Sequence, residues 1–427
     1  MTPRILVVWT LVCCTTTQAF AVPDSLQWGP TSGEITWSLR RDGLRWSTPH
    51  LDLTLQPWAT MRAVGRKDEN FQVDNLRGAA FQATLDGRWH VSGSLEELQG
   101  VPSIWDQMAP ASEDALPGWG RVKTLQDGRV DVARARSQTS WQHGLGARDT
   151  LNCAILYGAY AWGPLPSALS FSSRASSYPL ATLHWQHGKS VQLGGAVARW
   201  TRLERGDQGG STEALFRQVD ARWLDLTWFP STKRTLGILV GQQQLRPWSY
   251  EQPMDSLGTW DPMRFISLTG TCSWHASWPE LFAEWTSHNG WGVGWRWELD
   301  HGYEVGMSAF HQATLPELSK QWSHAGTPVG DPMWFSSDAG SNWRIEANAR
   351  MDKRAFRLGT RGAWTSSSRI AELWMGYAIQ STWPMNVFAG AELWSSEAEW
   401  PGRGSRWRVG IAHALGMTAG NPTFAAP

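Results

Sequence analysis

Few residues in this chain could do chemistry, and most are spaced wrongly to do it together. There is no G-x-S-x-G, H-E-x-x-H, glycine-rich phosphate loop or C-x-x-C. His184 and His187 are three apart, so on an extended strand they face opposite ways and cannot share a metal. Ser287-His288-Asn289-Gly290 has residue types found in lipid hydrolases built on barrels, but Asn-Gly is also a strong hairpin-turn signal. Asp106, Glu113 and Asp114 could form a carboxylate cluster; in their Pro-, Ser- and Gly-rich surroundings they read as a solvated acidic loop. The densest polar set is Arg344, Glu346, Asn348, Arg350, Arg357, Arg361 and Glu372. Guanidinium forks meet carboxylates in two parallel hydrogen bonds. These residues could therefore line a tunnel for an acidic polysaccharide, or pair with one another as an ion-pair mesh. Trp162 and Trp374 could stack on sugar rings or serve in packing.

What positions this set is a period of two. From Trp343, apolar Ile345, Ala347, Ala349 and Met351 alternate with Arg344, Glu346, Asn348 and Arg350. After a break at Asp352-Lys353, Phe356, Leu358 and Trp364 share one parity and Arg357 and Arg361 the other. A third run puts Leu373, Met375, Tyr377 and Ile379 opposite Glu372, Trp374 and Gln380. Successive side chains of a strand point to opposite faces. Runs of about ten residues match a strand tilted across a bilayer. The pattern predicts a transmembrane β-barrel, apolar toward lipid and polar toward a lumen. A soluble antiparallel sandwich would also alternate.

The remaining composition favours the barrel. Arg4, the apolar run 5–14 and Ala19-Phe20-Ala21 form a secretory signal peptide over residues 1–21, too short to span a bilayer as a helix. No later segment approaches a helical span. Beyond residue 21 only Cys153 and Cys272 remain, too few for a disulfide framework. The chain holds 31 Trp, far more than a soluble core accommodates, whereas membrane-interface belts and sugar-stacking surfaces both favour Trp. Net charge is zero, so there is no basic field for nucleic acid. A mean hydropathy of −0.37 is compatible with a barrel, because half of each strand faces water.

Nineteen candidate strands run from 34–41 to 405–418, the first of them weak. Since such barrels usually have an even number of strands, an antiparallel up-and-down barrel of about 18 strands (16–18) is expected, forming one domain over residues 22–427. Asp86-Gly87, His187-Gly188, Asn289-Gly290 and His301-Gly302 supply hairpin turns. The long connections are 98–129, 204–214, 248–261 and 315–340; those at 98–129 and 315–340 are candidates for external loops or a lumen plug.

The stretch 98–180 departs from plain hairpins. Trp162-Gly163-Pro164, then Ser167, Leu169, Ser172, Ala175 and Pro179, resemble a stretch of the Wzi outer-membrane capsule-assembly family and its RemB-type gliding-motility relatives. Asn75-Leu76-Arg77-Gly78, Leu116-Pro117-Gly118 and Trp223-Leu224-Asp225-Leu226 resemble further landmarks, in the same order. Pro166 stands where the gliding relatives place a basic residue. The resemblance implies an outer-membrane barrel of about 18 strands that holds or passes surface polysaccharide, without catalytic residues or cofactor.

The expected function is therefore binding, anchoring or assembly of capsular or exopolysaccharide, with a link to gliding as one form of it. A general or sugar-selective porin is the alternative, and a barrel lipid hydrolase the third. The candidate polysaccharide contacts are Trp162, Ser167, Arg344, Glu346, Arg350, Arg357, Arg361 and Trp374, with no metal, no cofactor and no nucleic acid. Outer-membrane lipid and the barrel-assembly machinery are the other expected partners. The Pro- and Gly-containing tail from Gly420 cannot extend a ladder, so 405–418 is expected to pair with the first strand and close the barrel.

Overall fold

The computed structural model describes residues 25–28, 36–40, 43–66, 72–102, 115–116, 118–125, 129–163, 170–172, 175–205, 216–245, 262–273, 278–287, 290–299, 302–313, 323–324, 327–328, 341–353, 356–365, 368–379, 385–396 and 403–414. The signal peptide expected at 1–21, Ser167, the acidic residues 106, 113 and 114, His288, Asn289 and the tail from Gly420 lie outside them. Eighteen antiparallel strands form a closed barrel. They are β1 (Leu51–Arg66), β2 (Gln72–Leu85), β3 (Trp89–Gly100), β4 (Val130–Gly144), β5 (Asp149–Gly158) and β6 (Tyr178–His187). Next come β7 (Val191–Arg205), β8 (Phe216–Ser231), β9 (Arg234–Leu245), β10 (Met263–Cys272), β11 (Glu280–Thr286) and β12 (Gly290–Leu299). The last are β13 (Tyr303–Ala313), β14 (Ser341–Lys353), β15 (Phe356–Thr365), β16 (Ser368–Ile379), β17 (Met385–Ser396) and β18 (Arg403–Ala414).

Each strand pairs with its neighbours in sequence, and β18 closes on β1 from Arg406↔Arg66 to Ala414↔Trp58. The expected closing strand is thus the one observed, but its partner begins at Leu51. The weak segment at 34–41 contributes Thr36–Arg40 to a short meander instead, with Ser25–Trp28 and Gly43–Ser47. That meander continues the sheet along the other half of the same β1 edge, through Leu44↔Leu55 to Ser47↔Asp52. Cys153 and Cys272 are not joined.

The alternation holds in three dimensions. Ile345, Leu373, Met375, Tyr377, Val409 and Ile411 are exposed on the outer wall, while Arg344, Glu372, Glu392, Arg406 and Arg408 are buried inside it. Outward aromatics gather toward the strand ends: Trp89, Trp228, Trp278 and Tyr377 at one end, Tyr157, Trp285, Trp343 and Trp364 at the other. Aliphatic side chains such as Ile155, Val197, Leu224 and Val293 lie between. This is the aromatic–aliphatic–aromatic banding of a wall that crosses a bilayer. Within one girdle Trp291, His311 and Trp343 are directly cross-strand, with rings 5.8 and 4.9 Å apart along the ladder.

Glycine and the aromatics are used together. Trp58↔Gly78, Phe265↔Gly241, Phe282↔Gly294, Trp374↔Gly359, Phe388↔Gly410 and Trp394↔Gly404 are directly opposed pairs. In each, the ring lies where a side chain on the glycine would be; at Gly359 a Cβ would sit 2.3 Å from Cζ2 of Trp374. The ring covers backbone that the glycine leaves bare. At the tight turns, Asp86 and Gly87 both have positive φ (47° and 65°), which the Asp-Gly hairpin requires.

Strand directions place 67–71, 101–129, 159–177, 206–215, 246–262 and 314–340 at one end, and 86–88, 145–148, 188–190, 232–233, 300–302 and 354–355 at the other. All four long connections expected from sequence leave the first end. In outer-membrane barrels the longer loops face the exterior and the short turns the periplasm.

Candidate functional site in the barrel lumen

The lumen is furnished from two sides. On one side the described parts of 159–177 turn inward after β5. Trp162, Phe171, Ala175 and Tyr178 form one apolar cluster with lumen-facing Ala196, Trp200, Trp223, Leu239, Phe265, Phe282 and Phe310. Phe171 lies 4.5 Å from Trp223 and 5.8 Å from Phe265, ring to ring. Polar anchors fix the segment's course. Ser170 N donates to Glu284 Oε1 (3.2 Å), Tyr160 Oη donates to Asp225 Oδ2 (3.3 Å), and Trp162 N donates to Phe171 O (3.1 Å). Burial, and next the nearby Asp225 carboxylate, push the Tyr160 phenol well above its ordinary range, so it stays a proton donor. Gly163 takes φ +96°, and a Cβ there would come 3.1 Å from Thr269. Gly237 leaves room for the Trp162 ring, whose Cζ2 would be 3.1 Å from an added Cβ.

On the other side the chain after β3 also enters the lumen. Val101 N donates to Asp74 Oδ1 (2.8 Å), and Arg62 bridges Asp74 Oδ2 (2.7 Å) and Val101 O (3.3 Å). Arg408 Nη2 reaches Pro102 O and Glu392 Oε1, both at 3.3 Å, and Arg406 pairs with Glu392 at 2.5 Å. This network ties the start of 101–129 to β1, β2, β17 and β18. Further along, Arg134 donates to Gly118 O (3.3 Å) and lies over the Trp119 ring at 4.5 Å. Of the connection 98–129, expected as an external loop or a lumen plug, residues 101–102 and 118–119 thus lie against the inner wall. Of 315–340, only the two-residue strands Ser323–His324 and Thr327–Pro328 are described; the first of them lies near β7.

The arginine-rich set predicted from sequence faces the lumen as its parity required, and it is largely self-paired. Arg344 is 1% exposed and pairs with Glu346. Arg361 Nε meets Glu372 Oε2 at 2.6 Å, Arg350 pairs with Asp352, and Arg357 lies 3.8 Å from Asp352. Arg350, Arg357 and Arg361 keep a share of exposure to the lumen. Trp374 is half-buried on the same wall, its ring flat over Gly359. Trp162, by contrast, is packed inside the aromatic cluster. Sequence reasoning missed Asp74, Tyr160, Asp225, Glu284, Glu392 and the inward aromatics Phe171, Trp200 and Phe265.

No protein-family model matches the chain, and no curated protein matches it in sequence. Solved structures do match. The outer-membrane protein Wzi of Escherichia coli, described as a carbohydrate-binding β-barrel involved in group 1 capsule assembly, superposes with a TM-score of 0.51 at 11% identity, covering 84% of this chain and 83% of Wzi. OccAB4 of Acinetobacter baumannii gives 0.48 at 7% identity over 84% of this chain and 97% of its own. OccK3 (OpdO) of Pseudomonas aeruginosa gives 0.48 at 10% identity over 85% and 95%. At 11% identity the likeness to Wzi is one of fold: a closed 18-strand barrel of the outer-membrane kind.

Proposed function

We propose that this protein is an outer-membrane barrel that binds surface polysaccharide and holds it in the lumen. The observation that carries the proposal is the inward segment 159–177. Its described residues occupy the lumen beside β7–β11 and β13, where a general porin needs open water. Such a barrel suits holding a polymer better than passing small solutes. Trp374 supplies a flat ring for stacking on a sugar, and Arg350, Arg357 and Arg361 supply forks for its carboxylates. The mutual pairing of these arginines with Asp352 and Glu372 means that an acidic glycan would compete with carboxylates already present. Binding should therefore weaken steeply with salt. The fold likeness to Wzi, a carbohydrate-binding barrel, is compatible with this reading.

The test is retention of an acidic capsular polysaccharide by the purified barrel, with planar-bilayer conductance in parallel. Saturable, salt-sensitive retention without a large steady conductance is expected. A large steady conductance with no retention would establish the porin alternative instead.

A further inference from the structure

The outer wall carries a second feature with its own chemistry. Across β7, β8, β9 and β10, Val197, Arg222, Gln242 and Arg264 are directly opposed in register, so their side chains form one row on the outward face. Arg222 and Arg264 are both exposed. With its amide oxygen turned toward the guanidinium, the orientation that satisfies both groups, Gln242 accepts from Arg222 Nε at 3.0 Å. Beside the row runs an open groove of about 850 Å³, lined by Ala181, Leu183, Gly195, Leu224, Val240 and Ile266. The groove exists because Ala181 and Gly195 are small where their neighbours are large. A Cβ on Gly195 would already lie 3.0 Å from Leu224 Cδ2.

The row carries charge that no carboxylate among the described residues of the barrel balances. Elsewhere on the outer wall, Arg77 donates to Glu97 at 2.8 Å, and Arg199 donates to Asp220 at 2.9 Å. Among the described residues, Arg222 and Arg264 have no such carboxylate. An uncompensated charge on a lipid-facing wall is costly at mid-depth and tolerated near the interface, where phosphates lie. The row sits toward the end that carries the long connections: Arg264 follows the first residue of β10, and Gln242 is close to the end of β9. On the outer-membrane reading, that end faces the outer leaflet.

We infer that Arg222, Gln242 and Arg264, with the groove beside them, form a site for a phosphorylated glycolipid of the outer leaflet, of the lipid A type. The phosphates meet the two guanidiniums and an acyl chain lies along Ala181 and Gly195. Arginine suits this role, since its fork matches phosphate geometry. The inference rests on the membrane location and not on glycan binding in the lumen.

The experiment is native mass spectrometry of the full chain in detergent, titrated with diphosphoryl lipid A and, separately, with monophosphoryl lipid A and phosphatidylglycerol. The intact barrel should retain diphosphoryl lipid A in a one-to-one complex and prefer it to both comparators. In the double variant Arg222→Gln/Arg264→Gln, retention should fall at least about tenfold, the loss of a charge-assisted contact. Gly195→Val, which fills the groove but keeps both charges, should also lower it. Heat-modifiable gel migration identifies variants that still form the barrel, and either single arginine variant replaces a double variant that does not. Equal retention of all three lipids, or undiminished retention by the charge-removed barrel, would show ordinary annular lipid and overturn the site. Because the lumen is untouched, polysaccharide retention by the same variants should be unchanged, so failure of the two readings is told apart.

Discussion

Asp74 illustrates what single residues do inside this lumen. Its carboxylate is fully buried and accepts from both the Val101 amide and the Arg62 guanidinium. Asp74→Ala would leave Arg62 buried without its counter-charge, a loss of about 3–5 kcal/mol, and would free the start of 101–129. A lowered unfolding midpoint of the purified barrel in detergent is expected; an unchanged midpoint would mean that water already solvates Arg62. Gly359 works by absence. A Cβ there would lie 2.3 Å from the Trp374 ring, so Gly359→Val should lift that ring off the wall. If Trp374 stacks on sugar, polysaccharide retention should drop by about tenfold, as for the loss of an aromatic contact of roughly 0.5–1.5 kcal/mol plus its buried area. Normal retention by a folded Gly359→Val barrel would remove Trp374 from the site. The inward aim of Arg344, Glu346 and Arg361 was legible in the sequence because parity alone decides it. Their partners were not: that Arg361 meets Glu372 follows from the pairing register of β15 and β16, a tertiary fact.

At the scale of elements, a period of two exposed most strands, and a wrong parity would have reversed every face. Ile345→Arg tests the assignment. The side chain faces outward, and a charge on that face costs about 2–4 kcal/mol at the bilayer midplane, so the yield of heat-modifiable barrel should fall. An unaffected yield would mean that Ile345 sits near an interface or faces water. The inward segment 159–177 escaped this logic. β5 stops at Gly158, and the described residues that follow it turn inside. The signal was present on β8, where Val219, Ala221 and Trp223 point inward while Leu224, Leu226 and Trp228 point outward. Apolar residues on both faces of a barrel strand imply something apolar behind it. Gly237→Leu should expose the same element by function. Its side chain would occupy the space of the Trp162 ring and loosen the segment. Conductance in planar bilayers should rise several-fold over the parent barrel, and no change would show that the segment does not limit the lumen.

For the whole molecule, the decisive contact is between elements at opposite ends of the sequence. β18 pairs with residues 58–66 of β1, while the short meander reaching Ser47 pairs with residues 52–55 of the same strand edge. The two ladders share β1 without overlapping, so closure does not use the meander. Alternation predicted that 405–418 pairs with the first strand and could not say which segment that strand is. The weak segment 34–41 and the run that forms β1 were both available, and only β1 has a long enough edge to take β18 and still extend beyond it. Deletions separate their roles. Removing residues 22–47 while keeping residues 1–21 leaves every pair from Arg406↔Arg66 to Ala414↔Trp58 in place, and membrane-inserted, heat-modifiable barrel should still form. Removing the chain from Arg403 onward strips β1 and β17 of their shared partner and leaves two raw sheet edges in lipid, where each unpaired backbone group costs several kcal/mol. No inserted barrel is expected from that truncation. Assembly that survives loss of β18 but fails on loss of 22–47 would mean that the meander, and not β18, seals the edge of β1.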